Sequence, residues 1–309
     1  MKKIIASMLS ILMLAACGQP STSTTQPTNE KKLKVTVTTS FLQDMVTQLA
    51  KDYTDVKLVI PAGEDPHTYE AKPEDYSKIK DADLVLYHGL HFEGKMVELL
   101  ENAKGHAVTK NFDKKSLLTM EEDGVKITDP HFWFDVDLYK KATTEAANSL
   151  KEKLPKYKDK IEENLQAYLK KLDDLKVYCQ SQINMIPKKS RILITPHDAF
   201  SYFSRQYGIA VEAPQGVSTD AELSTKDMAK TAQFIVDHQI KAIFAESTTD
   251  PARMEKLKES CAAKGFKVKV VKGEGQELFS DSLAPKGQKG DTYIDMVKMN
   301  VDLMVSNLK

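Results

Sequence analysis

An α/β protein of two lobes, each a mostly parallel four-stranded sheet flanked by helices and joined by one long rigid helix, is the fold this sequence predicts. Two observations carry that prediction. Eight short apolar, β-branched runs alternate with amphipathic stretches in two sets of four, and strands alternating with helices form parallel sheets covered on both faces. Between the sets, residues 155–183 contain no glycine and no proline after Pro155. There Tyr157, Ile161, Leu165, Tyr168, Leu172 and Leu175 recur at three- and four-residue steps, the period of one helix face.

In chain order, Lys2 and Lys3 precede an apolar stretch from Ile4 to Leu14. This is too short for the roughly 20 residues a membrane helix needs and reads as a secretory signal. Leu14-Ala15-Ala16-Cys17 resembles a bacterial lipobox, which implies cleavage before Cys17 and its lipidation. Residues 18–31 are rich in Ser, Thr, Gln and Pro with no large apolar side chain, the composition of a flexible tether. The expected organisation is a signal peptide over 1–16, lipidated Cys17 and tether over 17–31, a first lobe over 32–150, a linking helix over 151–186 and a second lobe over 187–309. Lipid tethering places the mature chain on the extracytoplasmic face of the cell membrane, anchored to it and not spanning it.

The first-lobe strands are expected at Lys34–Ser40, Val56–Ile60, Asp83–Tyr87 and near Ala107-Val108, with an amphipathic helix over 41–52. Pro155 suits the first turn of the linking helix, and Pro187 ends it. The second-lobe strands are expected at Arg191–Thr195, around Val211, at Ile240–Ala245 and at Val268–Val271, with a helix over 225–238. Lys and Arg total 44, as do Asp and Glu, and the charges are interspersed, so no concentrated basic face for nucleic acid is present. Beyond Cys17 only Cys179 and Cys261 remain, which is no disulfide framework; a single bridge between them stays open.

Three of the seven histidines directly follow proline: His67, His131 and His197. Proline fixes its own φ and pushes its predecessor towards extended backbone, so each imidazole leaves on a stiffened loop. Ligands in open α/β sheets collect beyond the carboxyl ends of the strands, and neutral imidazole is the commonest metal ligand. Three imidazoles lack the anionic charge a divalent ion needs. Asp281, in the loop after the last strand, is the first carboxylate candidate and Glu246 the competitor. The aromatic run Phe132-Trp133-Phe134 is placed to wall a pocket. His88, His91, His106 and His238 are expected in structural or solvent-exposed roles, and Glu93 in a surface or interlobe contact.

These residues, in GEDPHTYE, LVLYHGLHFEGKM, TDPHFWFDV, ITPHDAFSYFSRQYGI, QGVSTDAE, AIFAES and ELFSDS, make the chain similar to the metal-binding lipoproteins of bacterial manganese and zinc ABC importers, the TroA-like or cluster A-I solute-binding proteins. The resemblance covers the mature chain and implies the same two-lobe fold. It also implies four metal ligands at His67, His131, His197 and Asp281, and, as partners, an ABC permease with its cytoplasmic ATPase. Histidine at 197 resembles the manganese-associated subgroup and, at that position, zinc members as well; the aspartate in ELFSDS and the lack of a histidine-rich loop before His131 resemble the manganese-associated subgroup. Mn2+ is therefore expected ahead of Zn2+, with Fe2+ a further alternative, in a monomer that is not an enzyme. A zinc hydrolase would keep an open metal position and a general base, and no His-Glu-x-x-His segment occurs. A surface adhesin is the other class of function weighed, without a recognisable adhesive repeat to support it.

Overall fold

The computed structural model describes residues 31–122, 125–220 and 223–309; the signal, Cys17 and the tether up to residue 30 lie outside the described residues. The first lobe is built from β1 (Leu33–Val37), α1 (Ser40–Ala50), β2 (Thr54–Leu58), α2 (Pro73–Lys80), β3 (Leu84–Tyr87), α3 (Val97–Asn102), β4 (His106–Ala107), β5 (Thr119–Glu122), β6 (Val125–Thr128) and α4 (Val136–Lys153). Four of these strands form a parallel sheet in the order β2-β1-β3-β4, with Val35 opposite both Val56 and Leu84. The chain moves to one side of β1 and then to the other. The carboxyl ends of β1 and β3 therefore flank a switch point, where such sheets open a crevice for ligands.

β5 and β6 form an antiparallel hairpin that the sequence reading passed over. Its signal is Asp123-Gly124 between alternating residues, a favoured two-residue hairpin connection. β6 delivers the chain directly to Asp129-Pro130-His131. A 3-10 turn over Phe132–Phe134 follows. The Asp135 carboxylate then caps α4 by accepting from the backbone N–H of Asp137 at 3.0 Å and Leu138 at 3.3 Å.

α5 (Lys158–Ile183) is the long linking helix, entered through a 3-10 turn at Pro155–Tyr157. Its 26 residues span about 39 Å at 1.5 Å per residue. Lys151–Lys153, expected at its head, instead finish α4, because Pro155 lacks the N–H that would carry one helix into the next. Ile161, Leu165, Tyr168, Leu172, Leu175, Cys179 and Ile183 form its buried face, packed against α1, α4 and α9.

The second lobe comprises β7 (Ile192–Ile194), α6 (Ser201–Tyr207), β8 (Ala210–Glu212), α7 (Thr225–Asp237), β9 (Ala242–Phe244), α8 (Ala252–Ala263), β10 (Lys269–Val271) and α9 (Tyr293–Leu308). All four expected strands are present, but as two parallel pairs, β7-β8 and β9-β10, with β7 lying beside β9. Each is only three residues long, and no ladder joins the pairs among the described residues. Lys32–Lys309 nevertheless cluster as one compact unit, and the largest apolar core runs through α1, α4, α5 and α9 into both lobes. Cys179 and Cys261 are both free and buried.

Candidate metal centre

The three Pro-His loops and the Asp281 loop meet in the cleft between the lobes. His67 leaves the loop after β2, His131 leaves β6, His197 leaves β7, and Asp281 follows β10. One donor atom from each lies within 4.8 Å of every other. His67 is 4% exposed and the other three are fully buried.

Local turns aim the rings. The Asp65 carboxylate accepts the His67 backbone N–H at 2.9 Å, and Asp129 accepts that of His131, also at 2.9 Å. Both are turns closed by an aspartate side chain two residues back. Asp129 also lies 2.8 Å from His131 Nδ1, and Glu246 lies 2.7 Å from His197 Nδ1. Carboxylates at Nδ1 hold the proton there and turn the Nε2 lone pair towards the cluster. No carboxylate is paired with His67 Nδ1 among the described residues. Glu246, the competitor of Asp281, thus sits behind a histidine, where Ser280 Oγ also donates to it at 3.0 Å.

Asp281 is held by its neighbours. The Trp133 indole donates to the Ser280 carbonyl at 2.9 Å. The Asn300 amide on α9 accepts from Phe279 N–H at 2.9 Å and donates to Phe279 C=O at 2.7 Å. Asp281 Oδ1 is 3.2 Å from His131 Nε2, Oδ2 is 3.2 Å from His197 Nε2 and 4.0 Å from His67 Nε2. His67 and His131 Nε2 are 3.3 Å apart. A tetrahedron around an ion with ligand bonds of about 2.0–2.1 Å has edges of about 3.3–3.4 Å; three of these distances are near that value, though to two different Asp281 oxygens, and one donor from each residue lies within 4.8 Å of every other, close enough for a single divalent cation to gather.

Charge points the same way. Burial pushes His67 down to about 3. Burial also opposes charge on His131, but Asp129 and Asp281 outweigh it and push His131 up to about 9. His197 is raised through Glu246 and Asp281 against its burial. Asp281 is held well below the ordinary carboxylate range by His197 and His131, again against burial. Protonated histidines thus balance Asp281, and a dication, which requires neutral imidazoles, can take the place of those protons. Phe92 stands edge-on to His67 at 5.1 Å and Trp133 to His131 at 5.2 Å, walling the donors from water. A cavity of about 420 Å³ opens on the His67 side, lined by His91, Ile127, Pro130, Val217 and Asp220 among others.

The other histidines are elsewhere. His88 is buried with Nε2 2.7 Å from Thr39 Oγ1, His91 is exposed at the cavity rim, and His238 is exposed and stacked on Phe234. His106 is half-buried, 2.7 Å from Glu145 and 2.9 Å from Ser149 Oγ, so its charged neighbours enclose it instead of leaving it in solvent. Glu93 corrects its expectation outright. It is fully buried inside the first lobe, where Thr38 Oγ1 and the N–H groups of His88 and Gly89 donate to it at 2.8, 2.6 and 3.2 Å. Burial pushes it up to about 7. It secures a loop in which Gly89, Leu90 and His91 all have positive φ, a backbone strain that needs such support.

Among known proteins, this chain is 33% identical over 308 residues to the manganese-binding lipoprotein MntA of Bacillus subtilis, covering 98% of each chain. It is 36% identical over 311 residues to the zinc-binding protein TroA of Treponema pallidum, covering 99% of this chain and 98% of that one. The solved structure of that TroA superposes with a TM-score of 0.85 over 90% of this chain and 99% of its own. A TroA solved in a study of its metal-binding specificity is 58% identical, with a TM-score of 0.89 over 90% of this chain and all of its own. The profile of the family described as ZnuA, zinc-uptake complex component A, periplasmic, matches residues 35–307. With that match spanning both lobes, the chain belongs to the ZnuA family of metal-binding components of uptake systems.

Proposed function

We propose that this protein captures a divalent metal ion, manganese ahead of zinc, outside the cytoplasmic membrane and delivers it to an ABC permease driven by a cytoplasmic ATPase. The observation that supports this most is the convergence of His67, His131, His197 and Asp281, drawn from both lobes and buried together within 4.8 Å. In this reading all four are ligands, and Asp129 and Glu246 add charge behind them that compensates the dication. In this reading four protein donors enclose the ion in a buried site, and the role is carriage without catalysis. Isothermal titration with Mn2+ and with Zn2+ tests it: each binds one ion per chain, and both bind at least about a hundredfold more weakly after His131→Ala.

A second reading, zinc as cargo, rests on the donor set of three imidazoles and one carboxylate, because zinc favours four ligands including imidazole nitrogens. Raw affinity for such donors is also higher for zinc than for manganese, so test-tube preference does not identify the cargo. Growth of a deletion strain on limiting manganese or limiting zinc, with cellular metal analysis, separates the two. A lipid at Cys17, with residues 18–31 as tether, keeps the carrier beside its permease. Loss of palmitate labelling and of membrane fractionation in Cys17→Ala is the expected result.

A further inference from the structure

Among the described residues, His67 is the one histidine of the cluster without a carboxylate behind its ring, and it sits beside the cavity. Its support comes through the backbone instead. Asp65 Oδ1 accepts the His67 N–H at 2.9 Å, while Asp65 Oδ2 accepts the Thr219 hydroxyl, 154 residues away in the second lobe. Thr219 is buried at 6% exposure, and its carbonyl accepts from Gln215 Nε2 at 3.1 Å. Gln215 in turn pairs as an isolated β-bridge with His197, its carbonyl accepts from Asp198 N–H at 3.1 Å, and Arg253 on α8 donates to its side chain.

A run of hydrogen bonds therefore goes His67–Asp65–Thr219–Gln215–Asp198, ending on the residue after His197 and so linking donor-bearing loops of opposite lobes without passing through the ion. Another bond from this loop to the second lobe, Gly63 N–H to Ser282 Oγ at 2.8 Å, holds the loop four residues upstream and not the peptide of His67 itself.

We propose that Asp65 and Thr219 are a positioning pair for His67, a latch across the cleft that keeps this ligand on the ion while the lobes are closed and so sets how fast the ion leaves. The inference rests on the reading of the four donors as a metal site. A hydrogen bond to a charged acceptor is worth roughly tenfold or more in an equilibrium constant. Because the pair forms only when the lobes meet, its loss acts on release and leaves the encounter with the ion unchanged.

The test is stopped-flow kinetics on the full chain loaded with Zn2+, release being followed with a chromophoric chelator and uptake with Zn2+ alone. Thr219→Val keeps the shape and removes the hydroxyl. It should speed release by at least about tenfold and leave uptake unchanged. Thr219→Ser, which restores the hydroxyl, should return release to the wild-type rate. The double variant Asp65→Ala/Thr219→Val should release no faster than Asp65→Ala alone, because the two act through one bond. Release from Thr219→Val at the wild-type rate, a change confined to uptake, or failure of Thr219→Ser to restore the rate overturns the latch. A wild-type chain that takes up no Zn2+ at all overturns the metal site beneath it, an outcome distinct from the other three.

Discussion

Asp65-Pro66-His67 and Asp129-Pro130-His131 are the same tripeptide, folded into the same turn, and the molecule uses them differently. In both, the aspartate accepts the histidine's own N–H at 2.9 Å. Asp129 then turns to the ring of His131 at 2.8 Å, whereas Asp65 spends its second oxygen on Thr219 of the other lobe. His131 is fully buried and pushed up to about 9; His67 borders the cavity and is pushed down to about 3. The lesson is that a motif delivers an imidazole to a site, while its outer partners set how that imidazole is held: His131 through its ring, His67 through its backbone N–H.

The sharpest way to break this comparison is to delete the imidazole held through its ring. His131→Ala should weaken Mn2+ and Zn2+ binding by at least about a hundredfold, beyond what loss of an outer partner alone costs, with circular dichroism unchanged. A fall no larger than that of His67→Ala would erase the distinction between the two loops. Next, Asp129→Asn keeps the turn but weakens the hold on Nδ1, and should cost roughly 10- to 100-fold in affinity by titration.

The protons offer a third handle. His131 lies near 9 before the ion arrives, so at pH 7 binding must displace its proton, and affinity should fall as pH falls from about 9. His67, at about 3, holds no proton to displace anywhere in that range. Calorimetry in buffers of different ionisation enthalpy should register at least about one proton released per ion at pH 7, and fewer in Asp129→Asn. The smallest effect is expected from Asp65→Asn. Its amide oxygen still accepts the His67 N–H and its amide nitrogen can still meet Thr219, so affinity should change by less than about threefold.

Much of this was legible in the sequence, and what was not has a common cause. The strands of both lobes and the buried face of α5 follow from periodicity, which is local. Three of the four donors announced themselves through the proline before each, again local. Asp281 ranked above Glu246 by its place in the last strand-end loop, but only family resemblance made that ranking firm. No spacing in the chain says that Ser280 and Phe279 are pinned by Trp133 and Asn300, 147 and 21 residues away. The roles of Asp129 and Glu246 behind their histidines were equally hidden, since a carboxylate's partner depends on where the lobes meet. Glu93 was misplaced because a charged residue in a loop ordinarily faces water; its burial answers to the strained backbone at Gly89–His91. The hairpin before His131 is the one omission with a local signal, Asp123-Gly124.

The docking of α9 has a consequence for how the protein is made. Asn300 holds the backbone beside Asp281, and α9 packs along α5, yet both are synthesised after every residue of the cluster. A nascent chain thus carries His67, His131, His197 and Asp281 before it owns the scaffold that brings the last of them into place. On the proposed metal site, a product truncated before α9 should emerge without the hold on the Asp281 loop and bind metal more weakly than the full chain.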